Sequence, residues 1–398
     1  MRIGIFTDSY KPYTSGVVTS ICSFKEELEK MGHEVYIFAP KYPNYNEEEP
    51  DVFRYYSLPA PTNPDYTLAI PVMPGMRQQI KRLKLDIIHV QSPAIMGRVG
   101  MHYAKVFRLP IVFTYHTLYE QYTHYLPVAQ DFAKDMTVKF SSKFCNDCDH
   151  VIVPSTEIHS LLKTYHITTP ISVIPTGVQL SRFVKNKGNW LRDHYPIPAD
   201  NKILLFVGRL TKEKNLEFLI KNFARIHQQK PMTTLVITAQ GPLEAELKKL
   251  TVSLGLTLDR DVVFTGAVPF DTLVQVYYSA DLFVFSSLTE TQGLVLIEAM
   301  AAGLPVVAVR ASGVQEMVDD GVDGILTNLD MDEFTSAVCR LLENDVLYRQ
   351  FKDNALLKAK ALSSQSMAIK MEEVYEGLRS RGFYRPHRLL DVGSWFNN

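Results

Sequence analysis

The chain has 398 residues with 46% hydrophobic composition, enough for two cores of ordinary size rather than one. Its 42 Lys and Arg balance 43 Asp and Glu to a formal net charge of -1, which argues against a nucleic-acid partner, because neutralising phosphates takes a basic excess. The longest apolar stretch, Gly293 to Val309, is broken by Glu298, Gly303 and Pro305 and falls short of the roughly 18 uninterrupted apolar residues of a spanning helix, so membrane contact is expected to be peripheral.

The opening MRIGIF runs straight into an apolar segment without a charged lead or cleavage site, so no secretory signal is read and a cytoplasmic location is expected. Strand-like runs follow at Arg2–Phe6, Glu34–Phe38, Asp86–Val90, Ile111–Tyr115 and Val151–Pro154, with helical patterns between them. That alternation is the signature of a parallel sheet with crossover helices. Cys145 and Cys148 form one C-x-x-C pair, but no second ligand pair and no thioredoxin-like context accompanies it, so these read as reduced thiols near a helix end. From Thr176 to Asn201 the apolar periodicity lapses and Gly177, Lys185, Asn186, Lys187, Gly188, Pro196 and Pro198 collect. The pattern then restarts at Lys202–Val207, Thr234–Thr238, Asp261–Phe264, Asp281–Phe285 and Pro305–Ala308. The expected organisation is α/β, with two facing Rossmann-like doubly wound domains at 1–178 and 202–365 joined by a linker at 179–201. The helix and aromatic, basic tail from about 366 to 398 are expected to pack back on the first domain.

In open α/β sheets ligands sit outside the carboxyl ends of the strands, so two facing domains put the chemistry in strand-end loops around a cleft. Gly16 opens a helix after the first strand, where unpaired backbone N–H groups favour an anion. No G-x-G-x-x-G is present, which disfavours a nicotinamide dehydrogenase. The second domain starts with Phe206-Val-Gly208-Arg209, with Lys214 five residues on, aiming two cations at the cleft where a diphosphate leaving group would develop charge. Gly241 repeats the pattern of a glycine at a strand end. The most informative stretch runs from Ser287 to Pro305: Glu290 precedes a helix, Glu298 lies two turns inside it, and Gly293 and Leu294 offer backbone donors at its start. A carboxylate at Glu298 inside an apolar helix needs a partner or a function.

With those residues in place, the chain resembles the retaining glycosyltransferases of family 4, whose GT-B fold is two facing Rossmann-like domains. The resemblance rests on the Gly16 loop, His116 after a strand, Gly208-Arg209 with Lys214, and Glu290 through Glu298 matching the E-x-seven-E motif. It implies that Glu290 lies against the donor hexose, Glu298 bonds the ribose, Arg209 and Lys214 hold the diphosphate, Gly16 meets it from the other domain and His116 contacts the sugar near its 6-hydroxyl. Gly208, Gly241, Gln292, Gly293 and Leu294 would complete the donor site. Transfer of this kind is front-face, with the leaving phosphate assisting acceptor deprotonation and no protein nucleophile, unlike the paired carboxylates of retaining hydrolases. No cofactor or metal is expected, because no D-x-D stands in a strand-end loop; Asp330-Met-Asp332 has the letters but begins a late helix.

The loop from Thr114 to Tyr125, with Tyr119, Tyr122 and His124, looks like that of bacterial diacylglycerol glucosyltransferases, as does Gln292, where many relatives carry phenylalanine. UDP-glucose and diacylglycerol are the implied substrates. Arg77, Lys81, Arg82 and Lys84 lie on a candidate helix with Ile80 and Leu83, read as cations drawn to an anionic membrane surface while the apolar pair dips into it. Lys134, Lys139 and Lys143, among Phe132, Met136, Val138 and Phe140, form a second such stretch. A family 4 enzyme with a soluble acceptor, such as a sugar phosphate or polysaccharide, or with UDP-galactose as donor, would keep every donor residue. An inactive adaptor would be expected to have lost them.

Overall fold

The computed structural model describes residues 1–380 except 14, 44, 46–48, 61–62, 117–129, 184–188, 291 and 312. In the first domain β1 (Arg2–Phe6), β2 (Glu34–Pro40), β3 (Val52–Tyr55), β6 (Ile87–Val90), β7 (Ile111–Thr114), β8 (His150–Val153) and β9 (Ile171–Val173) form one parallel sheet in the order β3-β2-β1-β6-β7-β8-β9. An antiparallel pair, β4 (Ser57–Ala60) and β5 (Asn63–Ala69), projects beside it. In the second domain β10 (Lys202–Val207), β11 (Thr233–Thr238), β12 (Val262–Phe264), β13 (Leu282–Phe285), β14 (Val306–Val309) and β15 (Gly324–Thr327) are ordered β12-β11-β10-β13-β14-β15, again all parallel. Both large sheets are therefore doubly wound.

Successive side chains of a strand point to opposite faces, so a strand covered on both sides must be apolar at every position. The first domain follows this rule. Phe6, Phe38, Ile88, Val90, Phe113 and Val151 pack on one face with helix Ile95–Phe107. Ile3, Ile5, Ile37, Ile87, Val112 and Ile152 pack on the other with helix Gly16–Lys30. That second face is completed by the helix Ser364–Ser380, which returns from the end of the second domain and contributes Met367, Met371 and Tyr375. His89 of β6 ties it down, meeting the Tyr375 hydroxyl at 2.7 Å through Nδ1 and the Thr114 hydroxyl at 2.7 Å through Nε2. Burial pushes the His89 pKa down to about 3, so this bridge is neutral.

The chain crosses between domains twice, and the two passes lie side by side. Val178 N–H donates to Leu362 O at 3.0 Å and Ser364 N–H donates to Val178 O at 2.8 Å. Gly177 is required here, because a Cβ would lie 2.5 Å from the Ser363 backbone. The segment read as a linker is only partly one: it contains helix Trp190–His194, and Phe183, Leu191 and Ile197 are buried in the second domain's core. Strands β3, β4, β5, β9 and β15 were not legible as strands. They are short, carry Pro59 or Pro64, or in β15 follow an Asp-Gly-rich turn.

Candidate active site at the facing strand ends

Strand order reverses between β1 and β6 and between β10 and β13, the two places where a doubly wound sheet leaves a crevice. Arg209 and Lys214 follow β10, and Glu290 and Gln292 follow β13.

After β10 the chain makes a short turn, Lys212–Lys214, and after β13 it passes through Ser286 and Ser287 to Glu290. The two loops are joined: Ser286 Oγ donates to Lys214 O at 2.8 Å, and Leu288 N–H donates to Glu213 O at 3.0 Å. Lys214 and Glu290 thereby meet as an ion pair, with side chains only 18% and 15% exposed. The Lys214 ammonium also lies 5.8 Å from the centre of the Phe285 ring. Arg209, by contrast, is exposed, and no hydrogen bond or ion pair of its side chain is found among the described residues. Gly208 precedes it at the end of β10, and Gly241 supports it from the neighbouring loop, where Leu210 N–H donates to Gln240 O at 3.3 Å and Leu243 N–H to Leu210 O at 3.2 Å.

Helix Leu294–Ala301 begins at Gly293, which adopts φ +75 and supplies no side-chain cap. A left-handed start suits glycine, and it leaves the first backbone N–H groups available to an anion. Glu298 lies two turns in. Its carboxylate accepts a hydrogen bond from the Tyr277 hydroxyl at 2.8 Å. Although the residue as a whole is half-buried, its carboxyl group is closely surrounded by protein, and desolvation raises its pKa to about 7, with Tyr277 and the Arg182 charge opposing the rise. The partner that the sequence could not supply is thus Tyr277. Gln292 is committed elsewhere: its Oε1 accepts from Thr176 N–H at 2.8 Å and its Nε2 donates to Thr176 O at 2.6 Å. Its side chain clasps the interdomain crossing at Thr176.

On the first domain, Gly16 opens helix Gly16–Lys30 behind the N-cap Ser15, whose Oγ accepts from Val18 N–H at 3.3 Å, and nothing lies within 4 Å of where a Gly16 Cβ would stand. His116 follows β7, and its Nε2 meets Gln91 Oε1 at 2.7 Å. Since that oxygen can only accept, the imidazole carries its proton on Nε2 and leaves Nδ1 with a lone pair. Desolvation lowers the His116 pKa to about 4, so the ring is neutral at pH 7. Beside it Asp8 is buried, accepting from the Ser92 hydroxyl and from Met96 N–H at 3.0 Å. Burial raises the Asp8 pKa. Gln91, Asp8 and Tyr277 were missed in the sequence. Only the position of the first two at strand ends could have flagged them.

Between the domains Glu316 caps helix Thr156–Thr164, accepting from Thr156 N–H, Glu157 N–H and the Thr156 hydroxyl, each at 2.8 Å. Asp330 is an N-cap too, accepting from Asp332 N–H at 2.8 Å and Glu333 N–H at 2.9 Å, which leaves the D-x-D in a helix start. No group of acidic, His or Cys side chains suited to a metal is found among the described residues.

The basic helix is Met76–Leu83, and Arg77, Lys81, Arg82 and Lys84 are all exposed. Ile80, however, is 1% exposed and packs in the domain core with Met76, and Leu83 packs against the same core. The expectation that Ile80 and Leu83 dip into a membrane is corrected: the helix turns its apolar stripe inward, as an amphipathic helix on a globular core does. Exposed apolar side chains lie instead on the β4–β5 pair and just before and after it, at Tyr56, Leu58, Leu68, Ile70 and Val72. Tyr119, Tyr122 and His124 lie outside the described residues.

Residues 14–182 match Glycosyltransferase Family 4, and residues 201–344 match Glycosyl transferases group 1. The chain is 34% identical over 332 residues, 82% of its length and 75% of the relative's, to an alpha-monoglucosyldiacylglycerol synthase of Streptococcus pneumoniae. It is 31% identical over 389 residues, 94% of its length and 96% of the relative's, to the alpha-monoglucosyldiacylglycerol synthase of Acholeplasma laidlawii. A GDP-mannose-dependent alpha-mannosyltransferase of Corynebacterium glutamicum is 29% identical over 83% of this chain and 77% of its own. Among solved structures, sucrose-phosphate synthase of Thermosynechococcus elongatus superposes with a TM-score of 0.74 over 96% of this chain and 100% of its own, at 24% identity. The chain belongs to glycosyltransferase family 4 and is a hexosyltransferase with the GT-B fold.

Proposed function

We propose that this enzyme transfers glucose from UDP-glucose to the 3-hydroxyl of 1,2-diacylglycerol with retention of configuration, giving an alpha-monoglucosyl glycolipid at the inner face of the cell membrane. The observation that carries the reading is the likeness, along most of the chain, to alpha-monoglucosyldiacylglycerol synthases. Under this reading Arg209 and Lys214 hold the donor diphosphate. The dianionic group competes with Glu290 for the Lys214 ammonium, and the freed Glu290 turns to the hexose. The N–H groups at Gly293 and Leu294 and the Gly16 helix start add partial positive charge from either side. Glu298 bonds the ribose, and the neutral His116 ring lies toward the sugar's 6-hydroxyl. In the transfer the bond from the anomeric carbon to the phosphate oxygen breaks, the bond to the glycerol oxygen forms on the same face, and the acceptor proton passes to the departing phosphate. The protein stabilises charge and excludes water, so neither a nucleophilic side chain nor a metal is needed.

Arg77, Lys81, Arg82 and Lys84 would hold the first domain to anionic lipid, each at roughly 1 kcal/mol when well placed. No helix among the described residues is long and apolar enough to cross a membrane, which fits peripheral attachment. The test is incubation with labelled UDP-glucose, UDP-galactose or GDP-mannose and diacylglycerol vesicles, followed by organic extraction. Label is expected in the lipid phase from UDP-glucose. Label that stays in water and moves only to an added sugar phosphate would overturn the reading.

A further inference from the structure

The first domain holds an apolar cavity of about 740 Å³, walled by Met73, Ile95, Val99, Tyr103 and Phe140. That volume falls in the range of pockets that enclose most of a small ligand, about 300–1,000 Å³. Two features of its position are informative. Its lining includes Pro71 and Val72, the latter 73% exposed, which follow the exposed Ile70 just after the β4–β5 pair. The lining also includes Ala94, in the loop after β6 that carries Ser92, whose hydroxyl is bonded to Asp8, and Gln91, which holds His116. The cavity thus touches both the segment after the β4–β5 pair and the strand-end loop after β6. Its polar edge is cationic. Arg98 lies 4.7 Å from the Phe140 ring centre, and the charges of Arg77 and Lys105, after desolvation, hold the His102 pKa down.

Apolar walls, a positive edge and a lining residue in the loop that holds His116 suit an amphiphile drawn from an anionic bilayer whose polar end must reach the cleft. We infer that the cavity holds one acyl chain of the acceptor diacylglycerol, which slides in past Val72 and presents its glycerol end toward the Gln91–Ala94 loop. The inference rests on the lipid-acceptor reading above and assigns that lipid its binding site. It makes the enzyme a reader of acyl chains as well as of the headgroup hydroxyl, because a longer chain buries more apolar surface at about 25 cal/mol per Å².

The test uses the full chain, vesicles of anionic phospholipid and a dioleoylglycerol analogue bearing a diazirine midway along one acyl chain. After photolysis, labelled peptides are expected to contain Met73, Val99, Tyr103 or Phe140. In Ala94→Trp, which puts a bulky ring on the cavity lining at an exposed position, this labelling should vanish, and the KM for dioleoylglycerol should rise at least tenfold. UDP affinity should stay within twofold of wild type. Transfer to dioleoylglycerol with labelling confined to the β4–β5 surface would overturn the cavity assignment and leave the lipid acceptor intact. Labelling of the cavity without any transfer to dioleoylglycerol would overturn the acceptor reading, and with it the identity of the bound chain. An Ala94→Trp enzyme with wild-type KM for dioleoylglycerol would overturn the assignment even if the cavity is labelled.

Discussion

Lys214 and Glu290, 76 positions apart, are paired across the ends of β10 and β13 in a spot where neither side chain is more than 18% exposed. Such a pair costs desolvation that only good partners offset, and breaking one side leaves the other stranded. Lys214→Ala should therefore act twice. It should lower kcat about 100-fold, the effect of removing one preorganised charged contact, and cost about 1–3 kcal/mol of stability. Arg209→Ala should lower kcat similarly yet leave stability unchanged, since its side chain has no hydrogen-bond or ion-pair partner among the described residues to strand. Steady-state kinetics and denaturant unfolding of both variants separate the effects. Equal loss of stability in the two would contradict the pairing.

A pKa of about 7 at Glu298, against an ordinary 4.5, means the folded protein binds that proton more tightly than the unfolded chain. Its contribution to stability is accordingly greatest in acid, falls as pH rises from 4.5 to 7, and is level above that. If the ionised carboxylate accepts the ribose hydroxyls, UDP binding releases a proton near pH 7. Calorimetric titration in two buffers of different protonation enthalpy reads that release. Tyr277→Phe removes the hydrogen bond that favours the ionised form and should move the titration upward, whereas Glu298→Gln should abolish it. Glu298→Ala should raise the donor KM more than it lowers kcat, because ribose binding is shared by ground and transition states. The opposite split would reverse the roles given to the two glutamates.

Gln292 satisfies both backbone groups of buried Thr176 at the crossing between domains. Gln292→Leu leaves an N–H and a C=O unpaired and should cost about 1–3 kcal/mol in urea unfolding. UDP affinity should stay within twofold of wild type. A large loss of UDP affinity with unchanged stability would show that the residue faces the donor after all.

The basic helix Met76–Leu83 turns Arg77, Lys81 and Arg82 outward and Ile80 into the domain core. Replacing Arg77, Lys81, Arg82 and Lys84 by glutamine should weaken sedimentation with anionic vesicles and imitate the effect of salt, which screens such attraction within roughly 8 Å at physiological strength. Ile80→Ala should instead lower unfolding stability by about 2–5 kcal/mol, as expected for a buried isoleucine, with vesicle binding retained by what folds. Vesicle binding that is insensitive to the fourfold change would show that another surface meets the membrane.

If Arg209 and Lys214 supply the charge a divalent ion would otherwise bring to the diphosphate, activity should persist in excess chelator. Complete loss reversed by magnesium would contradict that account.

Much of this was legible in the sequence because the controlling signals are local. Buried parallel strands are apolar throughout, so the runs at Lys202–Val207 and Arg2–Phe6 stand out, and Glu290 with Glu298 is visible as spacing alone. What was hidden depends on contacts between distant residues. The partner of Glu298 is Tyr277, on another helix, and the partner of Gln292 is Thr176, 116 positions away. Ile80 beside four cations reads equally as a membrane anchor or a core residue until the sheet beneath it is known. The linker misled for a related reason: Leu191 and Ile197 are isolated apolar residues among turn formers, and only the neighbouring core explains their burial.

The central claim is that the Lys214–Glu290 site moves glucose from UDP-glucose onto diacylglycerol. The most direct measurement is the label recovered in the organic phase from UDP-[14C]glucose and diacylglycerol vesicles by wild type and by Glu290→Ala, assayed side by side, with the anomeric configuration of the product read by proton NMR. The account predicts an alpha-glucosyl lipid from wild type and at least 100-fold less from a folded Glu290→Ala protein. An unlabelled organic phase, a beta-linked product, or equal labelling by the two proteins would contradict it.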